Sequence, residues 1–236
     1  LERIDSLRKA PALRTLRSYD AAVLIDLRED GMVAEAGHVI ESLKRNSYAN
    51  LKIFLRVNGA GPDMETLRAD HPDVQILNNV DFHACIGHIR ARVRAPFLAL
   101  VTEPLRFSKE WLKQLSQVAA QIGTGAKMMA PSTNLDNASH YVSQDPDLDN
   151  HSFQRFARTV WRNHRGTYQE LEDIPSGCVL LSWDCLSIIA EDPGTSCRDC
   201  VTCLRRQGVP VYWVRDTFVG LLPEAASHYL STPSSI

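Results

Sequence analysis

The amino-acid sequence predicts an α/β fold with a mostly parallel central sheet flanked by helices. Short apolar runs alternate with amphipathic stretches along the chain, which is the pattern of repeated strand–helix units. The chain has 236 residues, 44% of them hydrophobic and 23% charged, as is typical of a domain with one substantial core. We therefore expect one domain over 21–225, an Arg-rich helical lead-in over 1–20 and a C-terminal tail over 226–236.

The apolar runs predict seven strands. The run over 22–27 indicates a buried strand, whereas Leu51, Ile53, Leu55 and Val57 alternate along the next one. Further strands are predicted at 74–77, 97–101, 127–130, 178–181 and 209–214.

Five helices are predicted between these strands. Val33, Ala36, Ile40 and Leu43 recur at helical spacing. Similar patterns cover 82–93, 108–121, 152–163 and 197–207. The stretch 131–149 is rich in Pro, Asn, Ser and Asp and predicts a long loop, which in a compact domain is often a lid or a binding element.

Charge and hydropathy exclude two classes of function. The formal net charge is −2, so the chain lacks the basic field that a nucleic-acid partner requires. No apolar run reaches the roughly 20 residues of a transmembrane helix. Because the chain starts at Leu1 without a Met or a signal-like stretch, we expect a piece of a longer protein with further domains. We expect it in the cytoplasm, with the cytoplasmic membrane surface as an alternative location.

Three of the six cysteines form a C-x2-C-x2-C run at Cys197, Cys200 and Cys203. Thiolates at such spacing can bind zinc or an iron–sulfur cluster, but a fourth ligand at the expected distance is missing. Residues at i, i+3 and i+6 also lie along one side of a helix, where cysteine packs as a small apolar residue. We expect core packing, and a cysteine-ligated metalloprotein remains an alternative class.

Five segments carry a family resemblance over about 22–222. They are the phrase 47–53 leading to Val57-Asn58-Gly59, the helical stretch within 78–95, the strand 97–103 followed by 109–112, the stretch 122–131, and the stretch 175–181 followed by 199–208 and 211–214. In order and spacing they resemble the family 2 glycosyltransferases with the GT-A fold.

The resemblance implies transfer of a sugar, with inversion, from a nucleoside-diphosphate donor to a glycan or another hydroxyl acceptor. Asn58, Gly59, Glu103 and Gly177 would contact the nucleotide sugar, and Glu103 would also bind a divalent cation, Mg²⁺ or Mn²⁺. Asp199 would be the catalytic base.

Several acidic positions of the family depart from its pattern. Val57 replaces the Asp of the "DNGS" turn, and Val101 replaces the first acid of "DxD". The "EDxD" motif falls on 196–199 and retains Asp199 alone, and no His lies near Gly220. The alternative is therefore an inactive module that acts as a scaffold or binds the acceptor within a larger protein.

Each candidate residue also has a structural interpretation. Asp199 could cap the start of a helix, and Glu103 could be a solvated acid in a loop. Asn58-Gly59 could form a turn for structural reasons alone. The basic residues at 155, 158, 162 and 165 would face a diphosphate or an anionic acceptor, or only solvent. The histidines at 140, 151 and 164 are expected at the surface.

Overall fold

Strands and helices alternate along the described part of the chain. The computed structural model describes residues 19–27, 33–47, 49–57, 62–135, 140–143, 148–173, 175, 177–192, 196–223 and 225, without the side chains of 33, 34, 62, 63, 197 and 198. The strands are β1 (Ala21–Ile25), β2 (Leu51–Val57), β3 (Gln75–Asn78), β4 (Phe97–Val101), β5 (Leu105–Phe107), β6 (Met128–Thr133), β7 (Tyr168–Leu171), β8 (Cys178–Ser182) and β9 (Val211–Leu221). The helices are α1 (Val33–Asn46), α2 (Pro62–Asp70), α3 (Phe82–Arg92), α4 (Trp111–Ile122), α5 (Asn150–His164), α6 (Cys185–Ala190) and α7 (Cys197–Arg206).

The seven strands and five helices predicted between residues 22 and 214 are present, with most boundaries shifted by a few residues and the last strand extended by seven, to Leu221. The elements β5, β7, α2 and α6 were not predicted. The strand β6 continues through Pro131 to Thr133, so the predicted loop over 131–149 begins later than expected. Residues 1–18 of the lead-in predicted over 1–20 lie outside the described residues, as does the tail over 226–236.

The sheet is mixed, and the prediction of a mostly parallel sheet was wrong. Its strand order is β3-β2-β1-β4-β8-β6-β9-β5, with β7 also paired to β9. The pairs β1–β2, β1–β4, β2–β3 and β6–β9 are parallel. The pairs β4–β8, β6–β8, β5–β9 and β7–β9 are antiparallel. Every residue of β8 is buried, and a strand covered on both faces has the same continuous apolar pattern whichever way it runs.

Alternate residues of each central strand point into two hydrophobic cores, one on each face of the sheet. In β1, Val23 and Ile25 point into the core beneath α1 and α4, whereas Ala22 and Leu24 point into the core beneath α3, α6 and α7. This alternation follows from the two-residue period of a strand. A smaller third cluster joins Phe153 of α5 to Phe218 of β9.

The start of α4 is fixed against the end of α1. The backbone N–H of Glu110 donates to the carbonyl of Asn46, at 3.1 Å, and the indole N–H of the fully buried Trp111 donates to the Ser47 hydroxyl, at 2.7 Å. Since α1 ends just before β2 begins, this contact places the start of α4 near the amino edge of the parallel strands.

The last strand, β9, joins β5, β6 and β7 at one end of the sheet. Its first part pairs with β6 and β7, and its second part pairs with β6 and β5. Between Val214 and Phe218 the register against β6 shifts, so that three residues of β9 have no counterpart. Such a bulge bends a strand, and here it separates the part of β9 that pairs with β7 from the part that pairs with β5. In the part of the chain that the structure describes, no helix could cross a membrane.

Candidate functional site

Four neighbouring strands present polar groups along one edge of the sheet. Their residues Leu55, Ile25, Val101 and Cys178 are aligned in one row. Because β8 is antiparallel to β4, the residue just before its first residue lies at the carboxyl edge of the parallel strands. The residues next beyond the row are therefore Arg56, Asp26, Thr102 and Gly177. In open α/β sheets, ligands bind at this edge.

A buried ion pair occupies this edge between β1 and β2. The Arg56 guanidinium Nη1 lies 2.9 Å from Oδ1 and 3.0 Å from Oδ2 of Asp26, and the two side chains are 9% and 1% exposed. The Nε of Arg56 also donates to the carbonyl of Val80, at 2.7 Å. The pair thus links β1, β2 and the loop before α3.

This pair was not predicted from the sequence. A signal was nevertheless present, since Arg56 interrupts an apolar strand and Asp26 directly follows another. Charged side chains are rarely buried unless they are paired, so two opposite charges at the ends of adjacent apolar strands predict a contact between them.

Glu103 and Gly177, two of the predicted site residues, lie side by side. The N–H of Thr102 donates to the carbonyl of Gly177, at 2.8 Å, which ties the end of β4 to the start of β8. A Cβ atom added to Gly177 would lie 3.7 Å from Cγ of Glu103 and would overlap Cδ1 of Leu135. Gly177 has a φ of +77°. Glycine is therefore required both by backbone conformation and by lack of space.

We expect Gly177→Ala to lower the free energy of unfolding by about 2–3 kcal/mol. The positive φ costs about 1–2 kcal/mol for a residue with a Cβ, and the overlap with the buried Leu135 adds an overpacking cost of about 1 kcal/mol. Gly208 is the matched control, because its φ is +79° but nothing lies within 4 Å of an added Cβ. Urea unfolding of both variants measures the difference. Equal losses for the two variants would contradict the close packing around Gly177.

Asp199 lies in the first turn of α7 and is exposed. The hydroxyl of Ser196, the N-cap residue, accepts from the N–H of Asp199 at 3.1 Å and donates to its carboxylate. This reciprocal arrangement stabilises a helix start. Asp199 therefore takes part in stabilising the start of α7. The hydrogen bond from Ser196 reaches Oδ2 and leaves the other carboxylate oxygen, Oδ1, outside it.

The remaining predicted contacts, Asn58 and Gly59, lie outside the described residues. The strand that leads to them, β2, ends at this edge of the sheet. There the carbonyl of Val57 accepts from the N–H of Asn79, at 3.0 Å.

The cysteines near this edge are protonated thiols at neutral pH. Burial raises the pKa of Cys85 to about 11 and that of Cys178 to about 12, which removes the thiolate form that attacks electrophiles or binds metals. In the C-x2-C-x2-C run, Cys200 is packed in the core, as expected. Cys203 is only half-buried, and its thiol lies 3.2 Å from a carboxylate oxygen of Asp192. The side chain of Cys197 lies outside the described residues.

The described residues include no group of three or more His, Cys, Asp or Glu side chains that could hold a metal ion. Of the two carboxylates described at this edge, that of Asp26 is paired with Arg56, which leaves Glu103 as the candidate ligand among the described residues. A single carboxylate fits a Mg²⁺ or Mn²⁺ ion whose other ligands are phosphate oxygens and water, because Mg²⁺ usually keeps such ligands. The donor chemistry is therefore compatible with a cation that arrives with a diphosphate.

Two further residues differ from the sequence analysis. His140 was expected at the surface, but it is fully buried, because 140–142 runs alongside β6: Thr133 donates to the carbonyl of His140, and Val142 donates to that of Thr133. Asp216, in the β9 bulge, was not singled out. It is 6% exposed and accepts from the N–H of Gly166 at 2.7 Å, and burial raises its pKa.

The comparisons with known proteins concern the fold. No family model matches the chain, and no curated protein sequence matches it. Among solved structures, the chain is similar to the mannosyltransferase PcManGT from Pyrobaculum calidifontis, solved in complex with GDP-Man and Mn²⁺. The TM-score is 0.52 at 10% identity, and the similarity covers 93% of this chain and 62% of that one. The chain thus shares its fold with that mannosyltransferase and spans about 62% of its length.

Proposed function

We propose that this chain is a glycosyltransferase domain that transfers a sugar from a nucleoside diphosphate to a hydroxyl acceptor, with inversion at the sugar. The observation that carries the proposal is the position of Glu103. Its carboxylate follows β4 at the carboxyl edge of the sheet, against Gly177, in a fold similar to that of a transferase solved with GDP-Man and Mn²⁺.

The chemistry that this site has to perform is a displacement at the anomeric carbon. The acceptor oxygen forms a bond to that carbon, and the bond from the carbon to the diphosphate oxygen breaks. The electron pair of the broken bond stays on the diphosphate, and the hydroxyl proton passes to a base. An inverting transferase therefore needs a base and a positive charge beside the leaving group.

Glu103 would hold the divalent cation, Mg²⁺ or Mn²⁺, which when bound supplies that positive charge. Gly177, which lies against Glu103, would contact the nucleotide sugar through its backbone. Asn58 and Gly59, which follow β2, would contact the nucleotide. The buried pair Asp26–Arg56 would hold the strand ends in register beneath it.

Asp199 is our candidate for the base. The chain topology supports this role, because only four residues separate the end of α7 from the start of β9, which lies at the amino edge of the parallel pair β6–β9. A helix packed along the sheet that ends at the amino edge has its first turn directed toward the carboxyl edge, where Glu103 lies.

The test is calorimetric titration of the chain with GDP-mannose and UDP-glucose, with and without Mn²⁺. We expect Mn²⁺-dependent binding of one donor, and we expect Glu103→Gln to weaken it at least about tenfold, which corresponds to about 1.4 kcal/mol. Glu65→Gln, an exposed glutamate on α2, is the matched control and should bind like the wild type. Donor binding that is equally strong with and without Mn²⁺, and equally strong in the wild type and in Glu103→Gln, would refute the role assigned to Glu103.

The alternative, an inactive module, makes a different prediction for the same sample. It allows the donor to bind but gives no sugar transfer to any hydroxyl acceptor, and Asp199 then has only its capping role. Measurement of transfer alongside binding therefore separates the two.

A further inference from the structure

A groove of about 790 Å³ lies between the start of α4 and one face of α5. Lys109 and Gln114 line it on the α4 side, and Arg155, Arg158 and Arg162 line it on the α5 side. The groove is remote from the proposed donor site, because α4 starts beside Asn46 at the end of α1. It lies near the amino edge of the parallel strands, whereas Glu103 lies at their carboxyl edge.

The groove carries an excess of positive charge. Three arginines of α5 recur at spacings of three and four residues, so they share one helix face, and Lys109 faces them. The acid in the lining, Glu110, pairs with Lys113 at 3.4 Å. Like charges on one helix face repel each other, and an anion bound between them would remove that repulsion.

The wall of the groove is held in a fixed arrangement. The side-chain oxygen of Gln154 accepts from the N–H of Lys109, at 2.9 Å, and its side-chain nitrogen donates to the carbonyl of Phe107, at 3.1 Å. A single glutamine thereby connects α5 to the turn between β5 and α4. The cationic side chains on the two walls consequently start from backbone positions that are set relative to each other.

Two buried polar groups in this wall have no partner within the described structure. The hydroxyl of Ser108, a residue only 4% exposed, makes no hydrogen bond there, and neither does the side-chain oxygen of Gln114. Buried polar groups in proteins are normally satisfied. Both atoms are shielded from solvent as they stand, but rotation of the Ser108 hydroxyl or of the Gln114 amide would turn a donor toward a ligand with several oxygens in the groove.

We propose that this groove binds a phosphate-bearing ligand, independently of the donor site. Arginine is suited to this task because its planar guanidinium donates two parallel hydrogen bonds to a phosphate. The phosphate is either that of a free phosphorylated compound or that of an anionic lipid headgroup.

The experiment measures both sources on the purified chain. Titration with inorganic pyrophosphate in the absence of divalent cations tests the free ligand. Co-sedimentation with vesicles of phosphatidylglycerol and phosphatidylcholine, compared with pure phosphatidylcholine at the same ionic strength, tests the headgroup. Whether pyrophosphate or the vesicles bind, we expect the double variant Arg155→Gln/Arg158→Gln to weaken that binding at least tenfold.

The matched control is Arg68→Gln/Arg206→Gln, which removes two exposed charges from α2 and α7 and should change binding less than twofold. Pyrophosphate binding that is lost in the groove variant supports the site with a free phosphate as its ligand. Vesicle binding alone, lost in the same variant, supports it with a lipid headgroup. Absence of both, or an equal loss in the control, overturns the proposal. Glu103→Gln should leave this binding intact, so failure here is distinguishable from failure of the donor site.

Discussion

Replacement of Arg56 by methionine is expected to lower the free energy of unfolding by about 3–5 kcal/mol, the usual cost of leaving one partner of a buried ion pair behind. The carboxylate of Asp26 is 1% exposed and would lose two hydrogen bonds. The carbonyl of Val80 would lose its bond to Nε of Arg56 as well. Methionine fills much of the same volume, so the loss reports the charge rather than a cavity.

Urea unfolding monitored by circular dichroism measures this effect. Arg68→Met, at an exposed position of α2, is the control and should stay within about 0.5 kcal/mol of the wild type. The double variant Asp26→Leu/Arg56→Met should recover most of the loss, because apolar residues can replace a buried pair at little cost. If the single and double variants were equally unstable, the ion pair would not be the source of the loss.

Asp199→Asn is expected to lower the rate of sugar transfer by about 10²–10⁴-fold, the usual contribution of a general base. Asparagine preserves the shape of the side chain and can still accept a hydrogen bond from Ser196, so the helix start is retained. Donor affinity, measured by calorimetry, should stay within about threefold of the wild type, because the base acts on the acceptor hydroxyl and not on the diphosphate.

The control for Asp199 is Ser196→Ala, which removes the cap and keeps the carboxylate. We expect it to cost about 1 kcal/mol of stability and to retain most of the transfer activity. Equal loss of activity in the two variants would assign Asp199 to the helix start alone. A wild-type chain that binds donor and transfers no sugar would favour the inactive module.

The strands predicted from sequence were those with an apolar pattern. β1, β4 and β8 are almost wholly buried, so their composition alone identifies them. β7 has the sequence Tyr-Gln-Glu-Leu and is mostly exposed, and β5 has only three residues. Both exist because β9 provides a partner for them, and pairing with a distant strand leaves no local signal. The direction of β8 was missed for the same reason.

Some residues of the candidate site were predicted from the sequence, and others were not. Glu103 and Gly177 are 74 positions apart in the chain, yet both follow from the segment order of the family they resemble, and they are adjacent in the structure. Asp26 and Arg56 correspond to none of the quoted motifs, and their charges within apolar runs indicate a pair only once β1 and β2 are known to be neighbours. A pairwise contact between strand ends depends on register, and register is set by tertiary packing rather than by either strand alone.

The position of β9 has a consequence for biosynthesis. Val211–Leu221 pairs with strands that begin at residues 105, 128 and 168. A ribosome therefore has to release this segment before β5 and β7 acquire a partner and before β6, which also pairs with β8, acquires its second one. Until then the nascent polypeptide exposes unpaired backbone on β5 and β6, which is the kind of surface that self-associates or recruits chaperones. The native sheet is therefore completed only after this late segment has emerged from the ribosome.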